Sequence, residues 1–402
     1  MTEIKTVEHE QPKDEFQTGK VATVSLAHLS HDVFSAFLAP LLPLLITKLN
    51  LSLSAVAILD IARKIPQLLN PLIGLMADRI CVKYLVILAP AVTAICMSLL
   101  GLAPSFPVLF ILLFVSGLSA AAFHVPGPVL IKRYSGANSG RGMSFYMFGG
   151  EMARTLGPLL ITAAVSWWGL EGSYRVMPIG LAASVVMFFR LRNLQPVERH
   201  QEKSFWGGSR QAIREAAPLL AGLAGFMVFR MGLKSALTLY LPTYLTGQGE
   251  TMWVAGLALS LLQFSGAVGT FGAGYFADRF GHRKSLLVVA VLTPVAGLGL
   301  TFFPGVFTIP LLVITGVLLF ASSPIQLALV QDSGTSRPAF LNSLFMTLNI
   351  ITSALAVFFV GAMGDAVGLD LTYKISAGLT VLAVPFVVLF PGRSAGSANT
   401  GT

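Results

Sequence analysis

Charge is scarce in this 402-residue chain: Asp, Glu, Lys and Arg together make up 11% of it. A water-soluble domain carries about 25%, so a soluble globular protein is excluded. Cysteine is scarcer still. Cys81 and Cys96 are the two present, and they form no motif, which excludes a disulfide framework and a Cys-rich zinc site. There is no nucleotide-binding loop and no catalytic triad, and the G-x-G runs lack the strand that would give them meaning. The expected cofactor and metal content is therefore none. Residues Met1 to Lys20 are polar and mixed in charge, so no cleavable signal is expected ahead of the first apolar run.

What is abundant is long apolar sequence. Hydrophobic residues are 54% of the chain, and mean hydropathy is +0.76. Crossing about 30 Å of hydrocarbon takes about 20 apolar residues. Twelve stretches qualify, at 21–47, 52–77, 84–103, 107–131, 141–166, 172–191, 216–241, 252–277, 285–303, 308–331, 338–363 and 371–390. They are called spans 1 to 12 below. The predicted fold is an all-α integral membrane protein of twelve transmembrane helices. A cytosolic tail (1–20) leads into an N-terminal six-helix half (21–191). A polar cytoplasmic linker (192–215) separates this from a C-terminal half (216–390) and a short tail (391–402).

The net charge of +9 does not point to nucleic acid, because the basic residues sit in short loops. Nineteen Lys and Arg fall on the tails and even-numbered loops, against Lys48, Arg175 and Lys374 on the opposite side. Positive charge stays on the cytoplasmic side of a membrane, so both termini are expected inside, in a bacterial inner membrane. An even number of spans requires the same.

An internal repeat follows. Gly74-Leu-Met-Ala-Asp78-Arg79 lies between spans 2 and 3, and Gly274-Tyr-Phe-Ala-Asp278-Arg279 between spans 8 and 9. Glycine permits close helix approach, and the Asp–Arg pairs can cap helix ends and latch two halves as a cytoplasmic gate. This G-x-x-x-D-R signature resembles the conserved loop motif of the major facilitator superfamily, over residues 21–390. The resemblance implies two pseudo-symmetric halves, alternating access to a small solute, and peripheral spans 3, 6, 9 and 12. A narrower resemblance covers roughly the first 170 residues. His28-Leu-Ser-His31-Asp32, then Pro40-Leu-Leu-Pro43, Ala122-Phe-His124-Val-Pro126-Gly127, and Gly149-Gly150-Glu151 with Gly157-Pro158 are similar to the fosmidomycin-resistance-type efflux proteins. Glu151 stands where a small polar residue is expected.

Charges inside spans are costly and mark function. Asp32, Asp60, Arg63, Lys64, Glu151, Arg154, Arg230 and Lys234 lie well inside, with His28, His31 and His124; spans 3, 6, 9 and 12 have none. His28, His31 and Asp32 stand at i, i+3, i+4 and share one helix face, as do Asp60, Arg63 and Lys64. At 1.5 Å per residue, Asp32 and Arg63 both sit roughly 16–17 Å along their spans, near the midplane. A carboxylate beside imidazoles exchanges protons near neutral pH, so Asp32, His28 and His31, with Glu151, are candidate proton-coupling residues. Five interior cations face three interior acids. That excess makes Arg63, Lys64, Arg154, Arg230 and Lys234, with His124, candidates to hold an anion. Asp60 is expected to neutralise one of Arg63 and Lys64, and Asp32 to serve the other from span 1. Gln263, Gln326, Asn342 and Asn349 are further candidates for the cavity wall.

The function expected is secondary active transport by alternating access: proton-coupled efflux, by antiport, of a small anionic or amphiphilic organic compound that confers drug resistance. The expected partners are that solute, protons and lipid, with the chain a monomer. An organic-anion importer or exchanger is the alternative, and a divalent-metal transporter using the span 1 histidines a weaker one. An enzyme or receptor would need a catalytic set or a signalling domain, and neither is present. The topology makes a direct prediction. A reporter fused after Thr402 is active only if it reports from the cytoplasm, and a periplasmic signal would overturn the orientation.

Overall fold

A computed structural model describes residues 16–70, 73, 83–192, 209–303, 305–333, 338–388 and 390. Among them every regular element is helical. Eight continuous helical stretches are long and apolar enough to cross a membrane. Two of these hold more than one crossing: Phe106–Leu191 runs for 86 residues and Leu341–Val387 for 47. They are folded back on themselves where Gly169 and Gly368 take φ of +72° and +80°, a left-handed turn that glycine adopts without strain. Span 2 begins as the helix Leu53–Lys64, too charged to count by composition. The twelve expected spans are accommodated in this way. Span 7 starts at Ser209, inside the stretch expected to be linker, because a few charged residues at a helix end can remain outside hydrocarbon.

Spans 3, 6, 9 and 12, which the resemblance puts at the periphery, present apolar side chains outward. Leu88, Val185, Val295 and Val388 of spans 3, 6, 9 and 12 are exposed, as apolar side chains facing lipid should be.

The spans nearest the centre are broken, each beside a proline. Span 1 is interrupted at Ala36 and Phe37, between Thr18–Ser35 and Leu38–Leu49, ahead of Pro40. Span 2 tightens to a 3-10 turn at Ile65–Leu69, around Pro66. Span 4 breaks at Val125, between Phe106–His124 and Pro126–Ser135. Span 7 widens to a π-turn at Ala236–Tyr240, just before Pro242. Proline removes one backbone donor and its ring collides with the preceding turn, so a break nearby is the expected outcome.

Three apolar cores hold the molecule. One lies on the face away from the termini and draws on both halves, from Leu42 and Leu59 to Leu237 and Val360. The other two lie toward the termini, one in each half: Val24, Phe123 and Tyr146 in the first, Phe226, Val330 and Phe345 in the second. Among the described residues the apolar cores therefore join the halves on the far face and stay within each half on the terminal face. Polar contacts on the far face add to the join. Asp365 accepts the backbone N–H groups of Leu53 and Ser54 at 2.7 and 2.8 Å, capping span 2 from the other half. Tyr240 Oη donates to the Leu53 carbonyl at 3.0 Å.

The gate motif fares unevenly. Gly74, Asp78 and Arg79 lie outside the described residues. Gly274 does not bring helices together, since a Cβ there would meet nothing within 4 Å; with the halves apart on this face, no neighbour is in reach. Asp278 is exposed and Arg279 lies over the Phe280 ring at 5.7 Å. The close approach along span 8 is instead at Gly269, where a Cβ would overlap the Val317 backbone of span 10. Gly269→Ala should therefore cost about 1–3 kcal/mol through overpacking and lower the thermal midpoint in detergent, while Gly274→Ala leaves it unchanged. Equal midpoints for the two variants would contradict this packing.

Candidate functional site

Between the halves lies a cavity of about 290 Å³. Its first-half wall presents Asp32, Arg63, Lys64, His124 and Arg154, and its second-half wall presents Lys234, Gln263 and Asn349. These side chains come from the broken spans or from spans packed directly on them. A helix break at mid-membrane frees backbone and turns side chains toward a central site.

The first-half wall is organised by Asp32. His31 Nδ1 lies 2.9 Å from Oδ1, His28 Nε2 3.3 Å from Oδ2, and His124 Nε2 3.2 Å from Oδ1. Span 1 supplies two of these rings through its i, i+3, i+4 spacing. The third comes from span 4, where the break before Pro126 leaves His124 at a helix end. The rings are fixed by stacking: His28 on Tyr146 with centroids 3.9 Å apart, and His31 on Phe123 at 4.9 Å. Gly150 gives His28 its room, since a Cβ there would sit 2.6 Å from the ring. The outer edges of the two buried rings are also held. His28 Nδ1 donates to the Tyr146 carbonyl at 2.8 Å, and His31 Nε2 lies 2.9 Å from Thr93 Oγ1.

Asp60 holds both of its neighbours, Arg63 Nη2 at 3.1 Å and Lys64 Nζ at 2.6 Å. The expectation that it would reach only one is corrected: Oδ1 takes Arg63 and Oδ2 takes Lys64, and i+3 and i+4 lie side by side one turn on, so both are served together. Nor does Asp32 share Arg63. The guanidinium reaches span 1 through the Ser35 carbonyl, at 3.4 Å. Lys64 also donates to Ser353 Oγ of span 11, at 2.8 Å, tying the two halves together at the cavity.

Glu151 pairs with Arg154 at 2.8 Å and makes no bond to the histidine cluster. Arg230 is a clearer departure. It is 4% exposed and does not line the main cavity. Its guanidinium donates to the Val289 and Leu318 carbonyls and to Thr293 Oγ1, binding spans 7, 9 and 10 together. Lys234, one turn further on the same helix, lines the cavity. Its ammonium lies 4.8 Å from the Phe320 ring centroid, and among the described residues it forms no ion pair.

Sequence reasoning missed Thr93, Ser119, Tyr146 and Ser353. The first lies in an uncharged peripheral span, and nothing in its type or spacing separates it from an ordinary threonine of a membrane helix.

An all-helical, membrane-crossing chain whose two halves enclose a polar, charged cavity is a membrane transporter in form. The sequence profile of the Major Facilitator Superfamily matches residues 24–349, and the chain belongs to that family. It is 23% identical over 387 residues to the fosmidomycin resistance protein of Escherichia coli (strain K12), covering 93% of each chain. It is 21% identical over 353 residues to a multi-drug resistance efflux pump PmrA homolog of Lactococcus lactis subsp. lactis (strain IL1403), covering 83% of this chain and 84% of the other. Among solved structures it resembles a bacterial homolog of the human lysosomal transporter Spinster, with TM-score 0.79, 15% identity, and 93% and 96% of the two chains covered. It also resembles a D-xylose-proton symporter, with TM-score 0.72, 16% identity, and 94% and 99% covered. At these identities the structural likeness is one of fold.

The Asp60 arrangement can be tested for stability. Asp60→Asn leaves two cations without their carboxylate near the membrane centre and should cost about 1–3 kcal/mol, given that both cations reach the cavity. Adding Arg63→Gln and Lys64→Gln should restore most of the loss in thermal unfolding. A triple variant no more stable than the single one would show that the charges were not the cause.

Proposed function

We propose that this protein couples proton movement to the transport of a small organic anion, by alternating access at the central cavity. One observation carries the reading. A carboxylate surrounded by three imidazoles forms one wall, and an ammonium without a carboxylate partner faces the same space from the other half. The first is chemistry that takes up and releases protons near neutral pH; the second is a site for negative charge. Asp60 pairs with both Arg63 and Lys64, and the three together keep one net positive charge; Lys234 has no ion pair among the described residues, so Lys234, assisted by Arg154, is the main anion-holding residue in this proposal. Gln263 and Asn349 offer polar groups beside it.

Efflux is the direction suggested by the relatives, one named for fosmidomycin resistance and another for multi-drug efflux. An imported anion is a second reading, and it has an observation of its own. Because Asp32 and Lys234 border one cavity, protonating the aspartate cluster makes the cavity more positive and strengthens anion binding. Proton and anion then favour loading together, as cotransport requires. The terminal face, toward which the halves are apart, is placed in the cytoplasm of a bacterial inner membrane by its basic loops, and the chain is taken to act as a monomer.

Purified protein in proteoliposomes under an imposed pH gradient tests both readings, with fosmidomycin, other phosphonates and organic acids as solutes. The expected result is uphill anion flux driven by the gradient; flux opposite to proton movement marks efflux by antiport, and flux with it marks import. Asp32→Asn should abolish uphill flux while leaving solute counterflow largely intact, and Lys234→Gln should weaken anion binding about tenfold or more, the loss of a charged contact of roughly 1.5 kcal/mol. Uphill transport at the wild-type rate in Asp32→Asn would move the proton site elsewhere. Gradient-dependent flux of a divalent metal with no anion flux would replace the proposal.

A further inference from the structure

The contacts around Asp32 allow the protons of the cluster to be counted. His31 Nε2, Thr93 Oγ1, Ser119 Oγ and the Ala89 carbonyl form a chain of three contacts, at 2.9, 2.8 and 2.8 Å. Each contact needs one hydrogen. Thr93 and Ser119 own two between them, and a carbonyl owns none, so the third must come from His31. The Nε2 of His31 is thereby held as a donor. The same holds for His28, whose Nδ1 faces only the Tyr146 carbonyl at 2.8 Å.

With those nitrogens committed, the inner nitrogens of both rings point at Asp32: His31 Nδ1 at 2.9 Å and His28 Nε2 at 3.3 Å. If the carboxylate is ionised and both rings are neutral, each of these contacts sets one lone pair against another. A proton in each turns both into hydrogen bonds, whether it resides on nitrogen or on oxygen. His124 needs none of its own, because its neutral form with the hydrogen on Nε2 donates to Asp32 directly. The cluster then passes from a charge of −1 to +1 as it fills. Among the described residues no other ionisable side chain forms an ion pair with it, although Arg63 and Lys64 of span 2, Arg154 of span 5 and Lys234 of span 7 border the same cavity. Tyr146 of span 5 stacks on His28, span 3 contributes Thr93, and the basic residue of span 6, Arg190, stands at the far end of Met177–Leu191.

We propose that Asp32, His28 and His31 form a two-proton store, with Thr93 as the positioning residue that keeps the exchangeable nitrogen of His31 turned toward the carboxylate. The proposal rests on the reading of this cluster as the proton-coupling site and adds its capacity. A single aspartate would carry one proton; two rings with their outer nitrogens committed give the same aspartate two.

The test needs no substrate. Full-length protein labelled with ¹⁵N-histidine and ¹³C-aspartate is placed in lipid nanodiscs and titrated by NMR over about pH 4 to 9, the range in which shifted imidazoles and carboxyls respond. His28→Gln and His31→Gln assign the signals. The expected result is that His28 Nδ1 and His31 Nε2 stay protonated throughout, while the two inner nitrogens and the Asp32 carboxyl together lose two protons. Thr93→Val should abolish the constant Nε2–H signal of His31, and Thr93→Ser should retain it. Loss of only one proton across the three groups, or a His31 that carries its hydrogen on Nδ1 alone, would overturn the proposal. So would a His31 spectrum unchanged by Thr93→Val. Flux measurements separate the two levels: two titrating protons with no gradient-driven transport would refute the coupling reading and leave the store intact, whereas gradient-driven transport with one titrating proton would do the reverse.

Discussion

An ionised side chain near the middle of a bilayer costs several kcal/mol unless something nearby answers its charge, and that cost shapes the centre of this protein. Asp60 answers two cations at once. Glu151 answers Arg154. Arg230 is satisfied by the carbonyls and hydroxyl of spans 9 and 10, and so works as a tie between helices. Asp32 is met by three rings whose charge depends on whether they hold protons. Lys234 departs from the pattern: among the described residues an aromatic face lies beside its ammonium and no carboxylate does. The local electrostatics thus separate charged groups already held by fixed partners from groups whose balance waits on a proton or a solute.

The backbone follows the same division. Spans 1, 2, 4 and 7 carry charged or histidine residues to the cavity, and each changes its helical form within a few residues of them. A continuous helix would bury its backbone groups in its own ladder and hold its side chains on one regular stripe. A break beside proline re-aims the side chains and leaves a place where the helix can bend. Together with a core shared on one face and divided on the other, these breaks give alternating access a mechanical basis: the halves can rock about their common core while the cavity stays between them.

Much of this was legible in the order of residues. Scarcity of charge and the length of apolar runs determined a multi-span membrane protein, because water cannot satisfy a backbone inside hydrocarbon and only helices of that length do so. Helical spacing placed His28, His31 and Asp32 on one face, and Asp60, Arg63 and Lys64 on another, since neighbours along one helix are set by its period alone.

Tertiary structure decided everything that passes between helices. His124 looked solitary along the chain and belongs to the Asp32 cluster, because span 4 packs where span 1 presents that face. Thr93 orients His31 from a span with no charged or histidine residue in its interior, and Ser119 supports it from span 4 without any signal of its own. Arg230 and Lys234, four residues apart, went to different tasks, one into the packing of spans 9 and 10 and the other into the cavity. A sequence records spacing within a helix, whereas distances across the bundle depend on how the side chains of twelve spans pack, and no local periodicity encodes that sum.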